Sequence, residues 1–430
     1  MSFLKNVSHL GISNLNQLQN DVLQATYQHI HVIAPTGSGK TVAFLLPVLS
    51  SLDVNNKALR ALIVVPMREL ALQIAQVFTQ MQTGYKCVCC YGGHNMQAEV
   101  RSLQQTPTLI IGTPGRLQKH ISLNNIDTSH LKVLVLDEFD KSLEIGFAES
   151  MQTIVASCNN TKIILTSATA MPALPDFLKH YNWHYIRSEH QIPEITCYSA
   201  KVLGDDKAEA LLLMLNSFAA EPAIVFCNHR DAAQRLSSFM QTHKISHSLY
   251  HGKLEQQQRE MAWIQFANGS NRLLITTDLA SRGLDIARVK HIIHYQLPQT
   301  AETNTHRNGR TARMQATGNA YYLLDKGDVM PLFITAKLNP FQWPQQMQPW
   351  PKIQWVTLYI ASGKKDGLSK TDVLGVLYKK ASFQKNDLGL MSVFDHFILI
   401  AITANLASIA WQTLTNYKVK NKKVKVSLLP

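Results

Sequence analysis

"HIHVIAPTGSGKTVAFLLPVL", residues 29–49, decides the fold. A strand-length apolar run leads into a turn of small residues, and a helix-length apolar stretch follows. That order and spacing are those of a P-loop, with Ala34 at the usual first glycine. A bare glycine-rich turn would need neither the Lys-Thr pair nor the flanking strand and helix. Thr36, Gly37, Ser38 and Gly39 let backbone N–H groups approach phosphates closely. Lys40 brings a cation to the β and γ phosphates, and Thr41 offers a hydroxyl to Mg²⁺. The expected cofactors are therefore ATP and Mg²⁺.

Further apolar runs alternate with helix-length segments on both sides: "ALIVVP", "TLIIGTP", "VLVLDE" and "KIILTSAT", then "AIVFCN", "RLLITTD" and "HIIHYQLP". Strands this continuously hydrophobic are covered on both faces, which predicts parallel α/β sheets. A polar, Pro-containing pause at 188–196 and the Pro/Gln-rich stretch 339–352 divide the chain. The expected domains are 1–190, 191–340 and 350–430. The last reads as βαββαβ, the order of a small ferredoxin-like or RNA-recognition fold.

Hydrophobic residues make up 46% of the chain and charged residues 17%, which excludes a disordered protein. A net charge of +13 favours a polyanionic partner. The excess is concentrated: residues 341–430 hold 12 Lys and no Arg against 4 Asp and no Glu. The N-terminal "MSFLKNVSHLGISN" has no basic start followed by a long apolar core, so no secretory signal is expected. "HFILIAITANLASIAW", 396–411, is too short to span a bilayer and reads as a strand followed by a helix. "CVCC", 87–90, lacks a second pair for zinc and reads as reduced thiols on a strand. The expectation is a monomeric cytoplasmic protein without a membrane partner.

"LDEFD", 136–140, leaves the run "VLVL" and supplies carboxylates. Asp137 fits a metal and Glu138 fits the activation of water. Two adjacent acids could equally open a helix, but a P-loop upstream favours the nucleotide reading. Phe139 sits between the acids, where a strand-to-helix turn can direct it inward. In "HRNGRTAR", 306–313, Arg310 and Arg313 suit a γ-phosphate finger reached from the second domain; an RNA-facing basic turn is the alternative.

In chain order, "GISNLNQLQ", "APTGSGKT", "PMRELA", "YGG", "TPGR", "LDEFD", "SAT", "HGKLEQQQR", "TTDLASRGLDI" and "HRNGRTAR" resemble the motif set of the DEAD-box RNA helicases, over residues 9–325. The resemblance implies two RecA-like domains and RNA-dependent ATP hydrolysis. It gives Gln19 the adenine edge, and Gly283 and Asp285 the nucleotide from the second domain. Asp140, Ser167, Thr169 and His306 become a network coupling hydrolysis to domain closure. Arg68, Gly93, Thr113, Arg116, Arg259 and Thr277 match positions that hold the RNA backbone. The segment from "WVTLYIASGKKDG" onward resembles the C-terminal domain of DbpA-type helicases, an RRM-like module that docks on a large-subunit ribosomal RNA hairpin. Its RNA contacts are expected from Lys364, Lys365 and the 418–425 lysines, since Phe397 is a lone aromatic in "DHFILIAI".

Three further positions depart from the family. No aromatic stands at the usual distance before Gln19, Met67 replaces the Thr of "PTREL", and Phe139 replaces the alanine of DEAD. Other classes of function remain: an RNA-binding scaffold with a degraded ATPase, or a duplex-DNA translocase. RNA-stimulated phosphate release separates the first from the enzyme, and competition by a 2′-deoxy strand tests the second.

Overall fold

The computed structural model describes every residue except 1, 36, 54–57, 172, 189–194, 203, 205, 219–220, 279–288, 312–316, 348–349, 351 and 430. The chain divides into two compact units, residues 1–192 with 283–285, and residues 193–282 with 286–430.

The first unit is a seven-stranded parallel sheet. Its spatial order is Cys87–Cys90, Leu109–Gly112, Ala61–Val64, Val133–Leu136, Lys162–Ser167, His29–Ile33 and Trp183–Arg187. The central runs "ALIV", "LIIG" and "VLVL" are buried at every position, as expected when helices cover both faces. The helix Lys40–Ser51 is apolar almost all round and buried accordingly, with Pro47 tolerated inside it.

The second unit repeats the plan in a seven-stranded parallel sheet around Ala223–Phe226, Leu273–Thr276 and His291–His294. Both sheets are RecA-like, and the expected α/β class is present. The "HFILIAIT" run is the strand Ile398–Thr403 followed by the helix Ala407–Asn416. Among the described residues, no helix is long and apolar enough to cross a membrane. All six cysteines are free thiols, and "CVCC" is an edge strand.

The C-terminal βαββαβ segment folds as a four-stranded antiparallel sheet, ordered Leu388–Val393, Ile398–Thr403, Trp355–Ile360, Val426–Leu428. Strand alternation assigns its two faces. Leu358, Ile360, Ile398, Ile400 and Ile402 pack with Val373, Leu377, Ala410 and Leu414 of the two helices. The opposite face carries Thr357, Tyr359, Phe397 and Leu399, and it rests on the helix Gln256–Ala267 of the same unit. Phe397 and Leu399 form an apolar cluster with Ile264. The Asn268 amide donates to Thr357 Oγ1 at 2.8 Å, and the Gln257 amide donates to the Tyr359 hydroxyl at 3.2 Å. Phe397 stacks between Tyr359 and Phe394 and is nearly fully buried. The face on which RNA-recognition folds stack bases is therefore covered by protein here.

Candidate active site and RNA interface

The sheet order of the first unit sorts its motifs by chemistry. Three adjacent strands, Val133–Leu136, Lys162–Ser167 and His29–Ile33, carry the acids, the SAT and the P-loop at their carboxyl ends. Crevices at that end are where open α/β sheets take ligands. Gly39 caps the P-loop helix at φ 88°, and a Cβ there would lie 2.6 Å from Gln19 Nε2. The turn therefore needs glycine twice, for its backbone angle and for its neighbour.

Lys40 is buried, and its ammonium donates to the Ala34 carbonyl at 2.6 Å and the Ser167 carbonyl at 3.3 Å. Gln19 is also buried beside the loop. Its Oε1 accepts from Asn16 N–H in a capping box, while Nε2 donates to the Gly39 carbonyl at 3.5 Å. Ser38 and Thr41 stand in the same turn and helix start; Thr36 lies outside the described residues.

Asp137 and Glu138 are both buried. Burial and the adjacent Glu138 charge push the Asp137 carboxyl up to about 6, against the pull of Thr166 and Lys40. Glu138 Oε2 is buried without a hydrogen-bond partner. Two desolvated carboxylates facing a helix start with Thr41 make a donor set that fits a hard divalent cation such as Mg²⁺. Glu138 holds a left-handed backbone, φ 46° and ψ 51°, which turns the chain sharply from strand into the helix Phe139–Glu144.

Two residues that the sequence reading passed over organise this turn. The Thr166 hydroxyl donates to Asp137 Oδ1 and accepts from Glu138 N–H. His31, one strand over, holds the SAT: the Ser167 hydroxyl donates to the Thr169 carbonyl, so His31 Nε2–H donates to Ser167 Oγ at 3.0 Å. Asp140 adds a further link, accepting from the Ala168 N–H at 3.2 Å. Asp140, Ser167 and Thr169 are thus brought together within one unit.

His31 also makes this unit acid-sensitive. Burial first, then Arg187, lowers its pKa to about 4, and Nδ1 has no partner. Because the folded pKa lies below the unfolded one, stability is full above the unfolded pKa near 6.5 and is lost as pH falls towards 4. From pH 7 to pH 5 this histidine costs about 2 kcal/mol. In urea titrations at the two pH values, His31→Leu should remove about that much of the pH dependence; an unchanged difference refutes the assignment.

The RNA-matching residues follow the neighbouring strands Ala61–Val64, Cys87–Cys90 and Leu109–Gly112. The Arg68 guanidinium lies 5.1 Å from the centroid of the Tyr91 ring. Gly93 turns at φ 83°. Thr113 is the N-cap of the helix Pro114–Ser122, with Arg116 in its first turn. Met67 caps the helix Arg68–Gln80 without a side-chain bond.

Comparison with known proteins identifies this arrangement. Residues 16–177 match the DEAD/DEAH box helicase family, 206–315 the helicase conserved C-terminal domain, and 357–428 the DbpA RNA binding domain. The chain is 30% identical to the ATP-dependent RNA helicase DbpA of Escherichia coli (strain K12), covering 99% of this chain and 97% of that one. The chain belongs to the DEAD-box ATP-dependent RNA helicases. It is also 33% identical to the helicase RhpA of Helicobacter pylori (strain B128), over 75% of this chain and 68% of the relative. Among solved structures, Mss116p bound to single-stranded RNA and AMP-PNP superposes with a TM-score of 0.67 at 25% identity, covering 76% of this chain and 72% of that one. Saccharomyces cerevisiae Dbp5 bound to RNA and ADP BeF3 shares the fold, with a TM-score of 0.69 at 23% identity, 75% of this chain and 87% of that chain.

In the helicase's second unit, Arg259 lies on the helix Gln256–Ala267, its Nη2 donating to Gln256 Oε1 at 2.6 Å. Thr277 directly follows the strand Leu273–Thr276. His306, on the helix Ala301–Asn308, is 3.3 Å from Glu302, and Arg310 is buried just beyond. Gly283, Asp285 and Arg313 lie outside the described residues. Arg307, which the sequence reading left without a role, is the structural anchor. It is fully buried, forks onto Asp278 at 2.6 and 3.1 Å, and donates to Asn228 Oδ1 and the Gln296 carbonyl.

In the C-terminal domain the two lysine groups named from the sequence form one patch. Lys420 donates to the Gly367 carbonyl at 3.0 Å, and Lys422 to the Asp366 carbonyl at 2.5 Å, joining the 418–425 cluster to the Lys364–Asp366 turn. Lys364, Lys365, Lys418, Lys420, Lys422, Lys423 and Lys425 are exposed, although Lys365 pairs with Asp395 at 2.9 Å.

Proposed function

We propose that this helicase uses ATP to remodel structured large-subunit ribosomal RNA during ribosome assembly, acting as a cytoplasmic monomer directed to its site by the C-terminal domain. The DbpA-like domain supports the target class, since the relative spanning nearly the whole chain carries the same module. The observation that carries the reading is the single lysine patch on a domain whose sheet face is already occupied. A patch of this kind takes phosphates along a folded RNA, and RNA is recognised largely by shape and backbone.

In the core, Gln19 recognises adenine, the P-loop residues with Lys40 hold the phosphates, and Thr41 and Asp137 hold Mg²⁺, which neutralises phosphate charge when bound. Glu138 orients and deprotonates the attacking water. Gly283, Asp285, Arg310 and Arg313 serve the nucleotide from the second domain. Arg68, Gly93, Thr113, Arg116, Arg259 and Thr277 hold one RNA strand by its backbone. Asp140, Ser167, Thr169 and His306 couple hydrolysis to closure of the core.

The test leaves the domain in place, because deleting it would expose Ile264 and the rest of its apolar cluster. Reversing charge at Lys364, Lys418, Lys420 and Lys423 should abolish the preference of ATPase stimulation for ribosomal RNA fragments over unstructured RNA. Stimulation by saturating unstructured RNA should persist. If the preference survives, targeting by this patch is wrong.

A further inference from the structure

Glu99 sits in the amphipathic helix Met96–Leu103, yet it is only 1% exposed. A buried carboxylate is costly unless its acceptor sites are filled. Here four donors fill them. The Tyr91 backbone N–H reaches Oε1 at 3.1 Å, and His94 Nδ1 lies 3.2 Å from the same oxygen. Arg116 Nη1 donates to Oε2 at 2.7 Å and His120 Nε2 at 2.8 Å. The Asn125 amide at His120 Nδ1 fixes the tautomer that donates to Glu99. Arg116 is held a second time, through Nη2 to the His94 carbonyl at 3.1 Å.

The donors come from different RNA-matching segments. Tyr91 and His94 flank the Gly93 turn, and Arg116 lies in the helix that Thr113 caps. Arg68 joins through the Tyr91 ring. Cys90, Glu99 and His120 lie close enough for a metal, but Arg116 and His120 already share Oε2, and a cation there would face the guanidinium. The cluster is a brace.

We propose that Glu99 is the positioning residue of the RNA surface in the first unit. Its carboxylate fixes the Gly93 turn against the start of the Thr113 helix, so that one RNA strand meets both at a set separation. Arg116 then acts through this brace and not as a phosphate contact. The inference rests on the reading of Gly93 and Thr113 as RNA contacts.

The test is RNA-stimulated ATPase of the full chain. Glu99→Gln places an amide donor among four donors. The RNA concentration for half-stimulation should rise about tenfold, the cost of one charged hydrogen bond. Turnover at saturating RNA, and affinity for a fluorescent ATP analogue without RNA, should stay within about twofold, well under one such bond. A structural lesion would move all three. The second variant is Arg116→Gln. As a brace residue it copies the loss of Glu99→Gln, and the double variant is no worse than either single one. The salt dependence of binding then keeps the parent's slope. As a phosphate contact it lowers the log–log slope by about 0.7. Half-stimulation within about twofold of the parent in Glu99→Gln, or a reduced slope in Arg116→Gln, overturns the proposal. Absence of RNA stimulation in the parent protein would instead defeat the underlying RNA reading.

Discussion

Glu138→Gln is expected to lower RNA-stimulated phosphate release by about 10²–10⁴-fold, the range for loss of a general base, while ATP and RNA still bind. The substitution keeps the side chain's volume. It also leaves untouched the backbone N–H that Thr166 Oγ1 accepts, so the left-handed turn at this position has no reason to relax. What disappears is a buried carboxylate oxygen, Oε2, to which no protein group donates. An unpaired buried charge is retained only where something else uses it, and an attacking water is the natural candidate. The measurement is phosphate release at saturating RNA, with a fluorescent ATP analogue as the binding control. Turnover above about a tenth of the parent's would mean that water is activated elsewhere. Loss of nucleotide affinity would instead place Glu138 among the metal-holding groups with Asp137.

What the sequence revealed, and what it hid, follows from the range of the interactions involved. The P-loop was legible because its chemistry is local: strand, glycine turn, Lys40 and Thr41 lie within one short segment. The parallel sheets were legible because runs such as "VLVL" have no polar face. Glu99 was not, since its helix carries an ordinary amphipathic pattern and its partners lie five to twenty-one residues away on other elements. His31 was hidden for a similar reason. A polar residue inside a strand has no sequence signature of its partner, and Ser167 is 136 residues downstream. The cover over the C-terminal sheet was equally invisible. Tyr359 and Phe397 have the same alternation whether they stack on RNA or on the helix Gln256–Ala267, so only tertiary contacts separate the two. That contact also changes the preferred experiment, from deleting the domain to altering its lysines.

Phe139→Ala is expected to cost about 3–5 kcal/mol of stability in the first unit, the usual cost of truncating a buried Phe, with turnover within a few-fold of the parent at permissive temperature. The side chain is fully buried and belongs to the main core cluster, edge-on to Phe177 with ring centroids 6.4 Å apart. Its neighbours there include Leu136, Met151 and Leu165, which are the interior of the sheet and not its ligand-facing end. The turn at Glu138 explains how this is possible. The left-handed residue swings the chain so that position 139 faces the core. Asp137 stays at the end of the strand, and Asp140 reaches the Ala168 N–H. The alanine of the family motif would leave a cavity in this particular core, since the surrounding side chains have grown around a ring. Urea titration of the variant checks the stability, and phosphate release below its melting range checks the chemistry. A several-fold rise in turnover would show that the ring obstructs the site; a loss below about 1 kcal/mol would show that the core closes over the gap. The aromatic between the acids is thus a core residue attached to a catalytic turn, and its energetic role lies beneath the nucleotide rather than beside it.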